Sequence, residues 1–185
     1  MLDSTPTIPT MTHVWRDHVG YGDIVSFRFP LAEEESQRRP KARPCLILDI
    51  EVRDGQRYAL LAYGTTSRRR SNVGYEVQVR RRADHLSAGL DESTRFVGAQ
   101  RLLVPLTHSG FVICGATGSA VLGRLDGAPF EAMNAVRGRI HAERDIAAER
   151  RSNRRRKHGV VRERNLAVER RTPRRAFPLR KAVQR

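Results

Sequence analysis

Cysteine is scarce in this chain: two residues in 185, Cys45 and Cys114, each set inside an apolar run. No Cys-x-x-Cys or Cys/His spacing accompanies them. That pattern gives no support for zinc and fits reduced, buried thiols in a cytosolic protein. Long hydrophobic runs are missing as well. The longest uncharged stretch, Leu102 to Gly123, is interrupted by Pro105, His108 and several glycines, so it reads as two strands and a turn rather than a membrane span. The opening MLDSTPTIPTMTH has neither a basic start nor an apolar centre of signal-peptide length. The expectation is a soluble, cytoplasmic protein with no membrane association. Six histidines are scattered without a pattern, and neither a metal nor a cofactor is expected.

What the chain does have is arginine, unevenly placed. Residues 150–185 hold 15 Lys and Arg against 2 Glu, whereas the other 149 residues carry 20 basic and 18 acidic side chains. A nearly neutral globular part is thus joined to a strongly basic tail. With 39% apolar residues, the globular part has material for one modest core.

The periodicity of that part is mostly of strand type. Residues 1–20 read as a flexible, Thr/Pro-rich leader whose Trp15 can cap the domain. In GDIVSFRFP, Val25, Phe27 and Phe29 alternate with Ile24, Ser26 and Arg28, and the run stops at Pro30. The charged loop LAEEESQRRPKA follows, long for a hairpin connection. PCLILDIEV predicts a strand buried on both faces, Asp54-Gly55 a tight hairpin turn, and RYALLAYGTTS the antiparallel partner. YEVQV turns Tyr75, Val77 and Val79 one way, and residues 83–95 read as a short helix or turn. RLLVPL, FVICG and SAVLGRL supply two or three more strands. Six or seven short strands make this mainly β with α (α+β), a small antiparallel barrel over 21–127. From Asp126 the period changes, and Phe130, Met133, Val136 and Ile140 predict a helix over 128–149 laid on the barrel. Beyond residue 150 the composition is too charged to bury a core and is expected to be disordered.

The chemistry-bearing residues gather at one end of the predicted hairpin. Arg43 precedes Pro44, which biases it to extended geometry at a strand entrance, where a fixed guanidinium can pair bidentately with phosphate. A solvated arginine at a strand end is the plainer reading. If the turn is at Asp54-Gly55, Thr65 comes to the same end of the ribbon as Arg43, with Thr66 and Ser67 behind it. Hydroxyls that merely terminate a strand are again the plainer reading. Arg38, Arg39 and Lys41 precede this gap and Arg68, Arg69 and Arg70 follow it, as phosphate contacts would. Arg80 to Arg82 read better as a solvated rim.

The order GDIVSFRFP, a charged loop, RPCLIL, about twenty residues to GTTS, then GYEVQV and a helix after VLGRL resembles the MazF/PemK (Kid-like) toxins of type II toxin-antitoxin systems, over residues 21 to 145. The resemblance implies an SH3-like barrel with a packed C-terminal helix. It also implies metal-independent endoribonuclease action on single-stranded RNA, the mRNA interferase activity, in which the ribose 2′-OH attacks the adjacent phosphate. The family's catalytic arginine falls on Arg43 and its threonine on Thr65, with Thr66 the one-residue alternative. Substrate contacts fall on Arg28, Gln37, Arg39, Lys41, Ser67, Arg68 and Arg69. A homodimer and a small cognate antitoxin are implied in the same way. The loop EEESQRRPKA departs from the family's Gly-Ser-Glu-Gln type, keeping only Ser36 and Gln37, and Arg28 stands where many members are acidic.

Two other readings stand beside this one. A catalytically silent barrel would bind RNA or a protein partner through its basic loops and tail, and a gyrase-directed toxin would use a related CcdB-like barrel. The tail, poor in aromatics, suits sequence-independent contact with RNA, an acidic partner, or simple solubilisation.

Overall fold

The computed structural model describes residues 14–31, 40–67 and 72–169, with side chains from Trp15 to Arg156. Six strands, β1 (Asp23–Arg28), β2 (Ala42–Arg53), β3 (Gln56–Thr65), β4 (Glu76–Val79), β5 (Thr94–Pro105) and β6 (Val121–Arg124), form one antiparallel sheet in the order β4-β5-β3-β2-β1-β6. Helices α1 (Val14–His18), α2 (Arg82–Ser87) and α3 (Gly127–Glu169) complete the described chain.

The centre of the sheet follows from local sequence. Asp54 (φ 50°) and Gly55 (φ 76°) occupy the two left-handed positions of a two-residue hairpin turn, which sets Arg53 opposite Gln56 and fixes the whole β2–β3 register. Pleating then splits β2 between two cores. Leu46 and Leu48 enter one cluster with Ile24, Ala62, Val77, Val79 and Phe96, while Cys45 and Ile47 enter the other with Val25, Phe27, Leu61 and Phe111. Strand β2 is therefore buried on both faces, as its unbroken apolar run predicts.

Irregular register positions at Ile24/Val25, Ile47/Asp49 and Ala62/Tyr63 mark bulges that bend the strands. The sheet curls into a half-barrel. At its open side the end of α2 meets β6. Gly89, in the left-handed region, and Gly123 both lie so close to the facing backbone that a Cβ on either would overlap it. Closure at this seam is by glycine-mediated packing of α2 on β6.

Met133, Val136 and Ile140 of α3 enter the first cluster, as the helical spacing predicts. Burying each contributes roughly 1.5–3 kcal/mol of transfer free energy. Trp15 and Val19 enter the second, so residues 14–20 pack on the domain although they belong to the segment expected to be a flexible leader. Arg57 holds that segment by donating to the carbonyls of Arg16 and Val19 at the end of α1. Residues 1–13 lie outside the described residues.

Three expectations need correction. Strand β5 begins at Thr94, well before RLLVPL, so Thr94 and Arg95 are strand rather than helix or turn, and the strand takes in residues 96–100 as well. FVICG is not a regular strand: Phe111 bridges Phe27, and Cys114 bridges Ser119, as isolated pairs. Helix α3 runs to Glu169, through residues 150–169 that were expected to be disordered. Arg, Ala and Glu are strong helix formers, and a helix needs no buried face to satisfy its own backbone. The chain divides into two compact units at Ile140/His141. Residues 170–185 lie outside the described residues, and no helix among those described is long and apolar enough to cross a membrane.

Candidate functional site

Strand β3 ends at Thr65 and β2 begins at Ala42, at the same end of the hairpin. Pairing is explicit to Cys45 opposite Tyr63, and two further residues of the same register set Arg43 against Thr65. Their outer neighbours are fixed too: Arg43 pairs with Phe27 of β1, Thr65 with Arg95 of β5, and Arg95 with Gln78 of β4. Directly opposed residues share a sheet face. One row thus runs Phe27, Arg43, Thr65, Arg95, Gln78.

Arg43 and Thr65 are half-buried, Thr66 and Ser67 exposed. The Thr65 Oγ1 accepts the Ser67 N–H at 3.1 Å, a local turn bond that leaves the Thr65 hydroxyl hydrogen available as a donor. Between Arg43 and Thr65 the strands are pinned by Gly64, which abuts the Pro44 carbonyl. The neighbouring Cys45 thiol is pushed up to about 12 by burial, against the lowering effects of a Gly64 backbone hydrogen bond and the Arg43 charge. It is a core thiol.

A cleft of about 640 Å³ opens on the β4–β5 side of Thr65. The end of β3 supplies Thr65, Thr66 and Ser67; Glu76, Gln78 and Arg80 come from β4 and the residue after it. Glu92 to Arg95 complete the wall. Within it Glu76 Oε1 accepts from Arg95 Nη1 at 2.5 Å, both side chains about nine-tenths buried, and Glu76 Oε2 accepts from Gln78 Nε2 at 3.2 Å. Arg43 is not among the described residues that line this cleft.

The other expected contacts lie elsewhere. Arg28 is exposed and donates to the Pro40 carbonyl at 3.3 Å, beside a second cleft of about 540 Å³ that includes Phe27 and His108. Lys41 is exposed just before β2. Gln37, Arg39, Arg68 and Arg69 lie outside the described residues. Among those described, no group of three or more His, Cys, Asp or Glu side chains could hold a metal ion.

Sequence reasoning missed Glu76, Gln78 and Arg95. The alternation that sends Val77 and Val79 into the core sends Glu76 and Gln78 to the opposite face, so a signal was present for two of them. Arg95 had none, since its partner lies 19 positions earlier on another strand. No family model matches this chain, and no curated protein matches it.

Proposed function

We propose that this chain is an SH3-like barrel endoribonuclease that cuts single-stranded RNA without a metal, the toxin of a type II toxin–antitoxin pair. In this reading it acts in the cytoplasm as a homodimer and is neutralised by a small antitoxin. The observation that carries the proposal is the β2–β3 register, which, continued two residues past Cys45–Tyr63, sets Arg43 against Thr65 on one sheet face. Both flank a strand end held rigid by two buried cores.

The nucleophile of such a reaction belongs to the substrate. The ribose 2′-oxygen gives up its proton and attacks the adjacent phosphorus, and the bond to the 5′-oxygen of the next nucleotide breaks as that oxygen takes a proton. The products carry a 2′,3′-cyclic phosphate and a 5′-hydroxyl. Charge gathers on the non-bridging oxygens in the transition state, where the Arg43 guanidinium and the Thr65 hydroxyl act as donors. DNA, lacking the 2′-OH, is not cut.

A second reading, an RNA-binding barrel without cleavage, is favoured by one observation: Arg43 is absent from the described lining of the cleft beside Thr65. Purified protein and its Arg43→Ala variant, incubated with a long single-stranded RNA in EDTA, decide between them. New cyclic or 3′-phosphate ends with wild type only support the nuclease. Intact RNA with both proteins folded and bound to it supports the binding barrel.

A further inference from the structure

Five arginines lie on α3 beyond the turns that enter the core. Arg150, Arg151, Arg154, Arg155 and Arg156 are all exposed, on one continuous helix, in the second compact unit, His141–Arg185. No acidic residue occurs between Glu149 and Glu163. The like charges one turn apart, Arg150 with Arg154 and Arg151 with Arg155, therefore repel each other with no carboxylate beside them, which works against the helix that carries them. A bound polyanion removes that repulsion.

Composition narrows the kind of polyanion. Residues 149–158, ERRSNRRRKH, contain no apolar residue and no Phe, Trp or Tyr. A protein partner would find no apolar centre to bury, and an anionic membrane no apolar helix face. A single nucleic-acid strand would find no aromatic ring on which to stack its bases. What the segment does offer is guanidinium groups, which pair bidentately with phosphate.

The placement of the arginines narrows it further. Successive residues of an α-helix turn by about 100°, so with Arg150 at zero, Arg154 falls at about 40°, Arg151 at about 100°, Arg155 at about 140° and Arg156 at about 240°. Arg154 and Arg156 thus leave the helix on nearly opposite sides. A flat surface or a lone strand meets one side only, whereas a groove has a row of phosphates on each wall. With side chains an α-helix is about 10–12 Å across, and the major groove of B-form DNA, about 12 Å wide, admits it. The major groove of A-form RNA is too deep and narrow.

We propose that the Arg150–Arg156 stretch of α3 binds double-stranded DNA, lying in the major groove with its arginines on the phosphates of both walls. Binding is through the backbone and independent of sequence, because the charges address phosphates and not base edges. This activity stands apart from the barrel and does not depend on whether the barrel cuts RNA.

The test titrates the full chain by fluorescence anisotropy onto a mixed-sequence DNA duplex of about two helical turns, beside a duplex RNA and a single DNA strand of the same length. Changing all five arginines to Gln, itself a strong helix former, is expected to weaken duplex DNA binding at least about tenfold and to lower the slope of log K against log salt by as much as about 4.5. The loss on duplex RNA and on the single strand should be smaller. A second arm needs no variant: methyl green, which occupies the major groove, should displace the wild-type protein, and netropsin, which occupies the minor groove, should not. Duplex DNA binding unchanged by the five substitutions, an equal loss on the single strand or the duplex RNA, or displacement by netropsin and not by methyl green overturns the proposal. So does displacement of the duplex by poly-L-glutamate at equal charge concentration, which would make an acidic protein segment the partner. No arm reads RNA cleavage, so failure here leaves the nuclease reading standing.

Discussion

Gly64 presents its bare α-carbon to the carbonyl oxygen of Pro44, so close that a Cβ would stand 2.6 Å from it, and 3.0 Å from both the Phe96 Cε1 and the Thr94 Cγ2. The contact sits between the two pairs that matter, Cys45 with Tyr63 and Arg43 with Thr65. Gly64→Ala must push the strands apart or displace an aromatic ring wholly inside the core. We expect a loss of about 1–3 kcal/mol in urea unfolding, as for overpacked cores, and a larger proportional loss of any activity that needs Arg43 and Thr65 together.

Thr65 and Arg43 separate by chemistry rather than by stability. Thr65→Val keeps the β-branched shape and removes the hydroxyl. On the nuclease reading proposed above, RNA cleavage should fall by about 10²–10³-fold, the usual effect of deleting one transition-state donor, whereas Thr65→Ser should stay within about tenfold. Arg43→Lys keeps the charge and loses the planar fork that fits phosphate bidentately, so it should retain RNA binding and lose most cleavage. Single-turnover rates with saturating protein distinguish these outcomes from loss of affinity.

Legibility from the sequence followed the range of the interactions involved. The hairpin was readable because its turn chemistry and alternation are local: Asp54 and Gly55 supply both positive φ angles. The start of β5 was not, because Thr94 and Arg95 read as the end of a polar stretch, and the partner that neutralises Arg95, Glu76, comes from a neighbouring strand. FVICG misled in the opposite sense. Its apolar residues fill the core at Phe111, yet its backbone makes only scattered bonds, such as Val112 N–H to the Ser26 carbonyl at 2.9 Å. The full length of α3 was hidden because dense charge argues against burial, and a helix formed by Arg, Ala and Glu does not require burial.

The Glu76–Arg95 pair gives a stability prediction of its own. Both side chains are about nine-tenths buried, so removing one leaves the other charged and poorly solvated. Glu76→Ala should cost about 3–5 kcal/mol. Glu76→Leu combined with Arg95→Met, which removes both charges, should be much less costly than either change alone. A double-mutant cycle in urea reads the coupling, and additive costs would show that the pair does not act as a unit.

The two thiols should behave oppositely. Cys114 is exposed, and backbone hydrogen bonds from Thr117 and Ala116 pull its pKa below the usual thiol value, whereas burial pushes Cys45 up to about 12. Iodoacetamide followed by peptide mapping should modify Cys114 faster than a free cysteine near neutral pH and spare Cys45 in the folded protein. The raised Cys45 value also has a stability consequence. Above the ordinary thiol value of 9.0 the unfolded chain loses this proton while the folded one keeps it. The contribution is complete below that pH and is lost as pH rises toward about 12.

The basic stretch of α3 can be tested through salt. Arg150, Arg151, Arg154, Arg155 and Arg156 are all exposed on one continuous helix, where successive residues turn by about 100° and so present charge around much of its circumference. Such a surface offers charge to phosphates without a base-reading geometry. If these arginines bind RNA, removing each arginine–phosphate pairing should lower the slope of log K against log salt by about 0.7 for a single strand. Changing all five to Gln in the full chain should flatten that slope by as much as about 3.5. An unaltered slope would assign the salt dependence to the barrel and remove the helix from the RNA-binding surface.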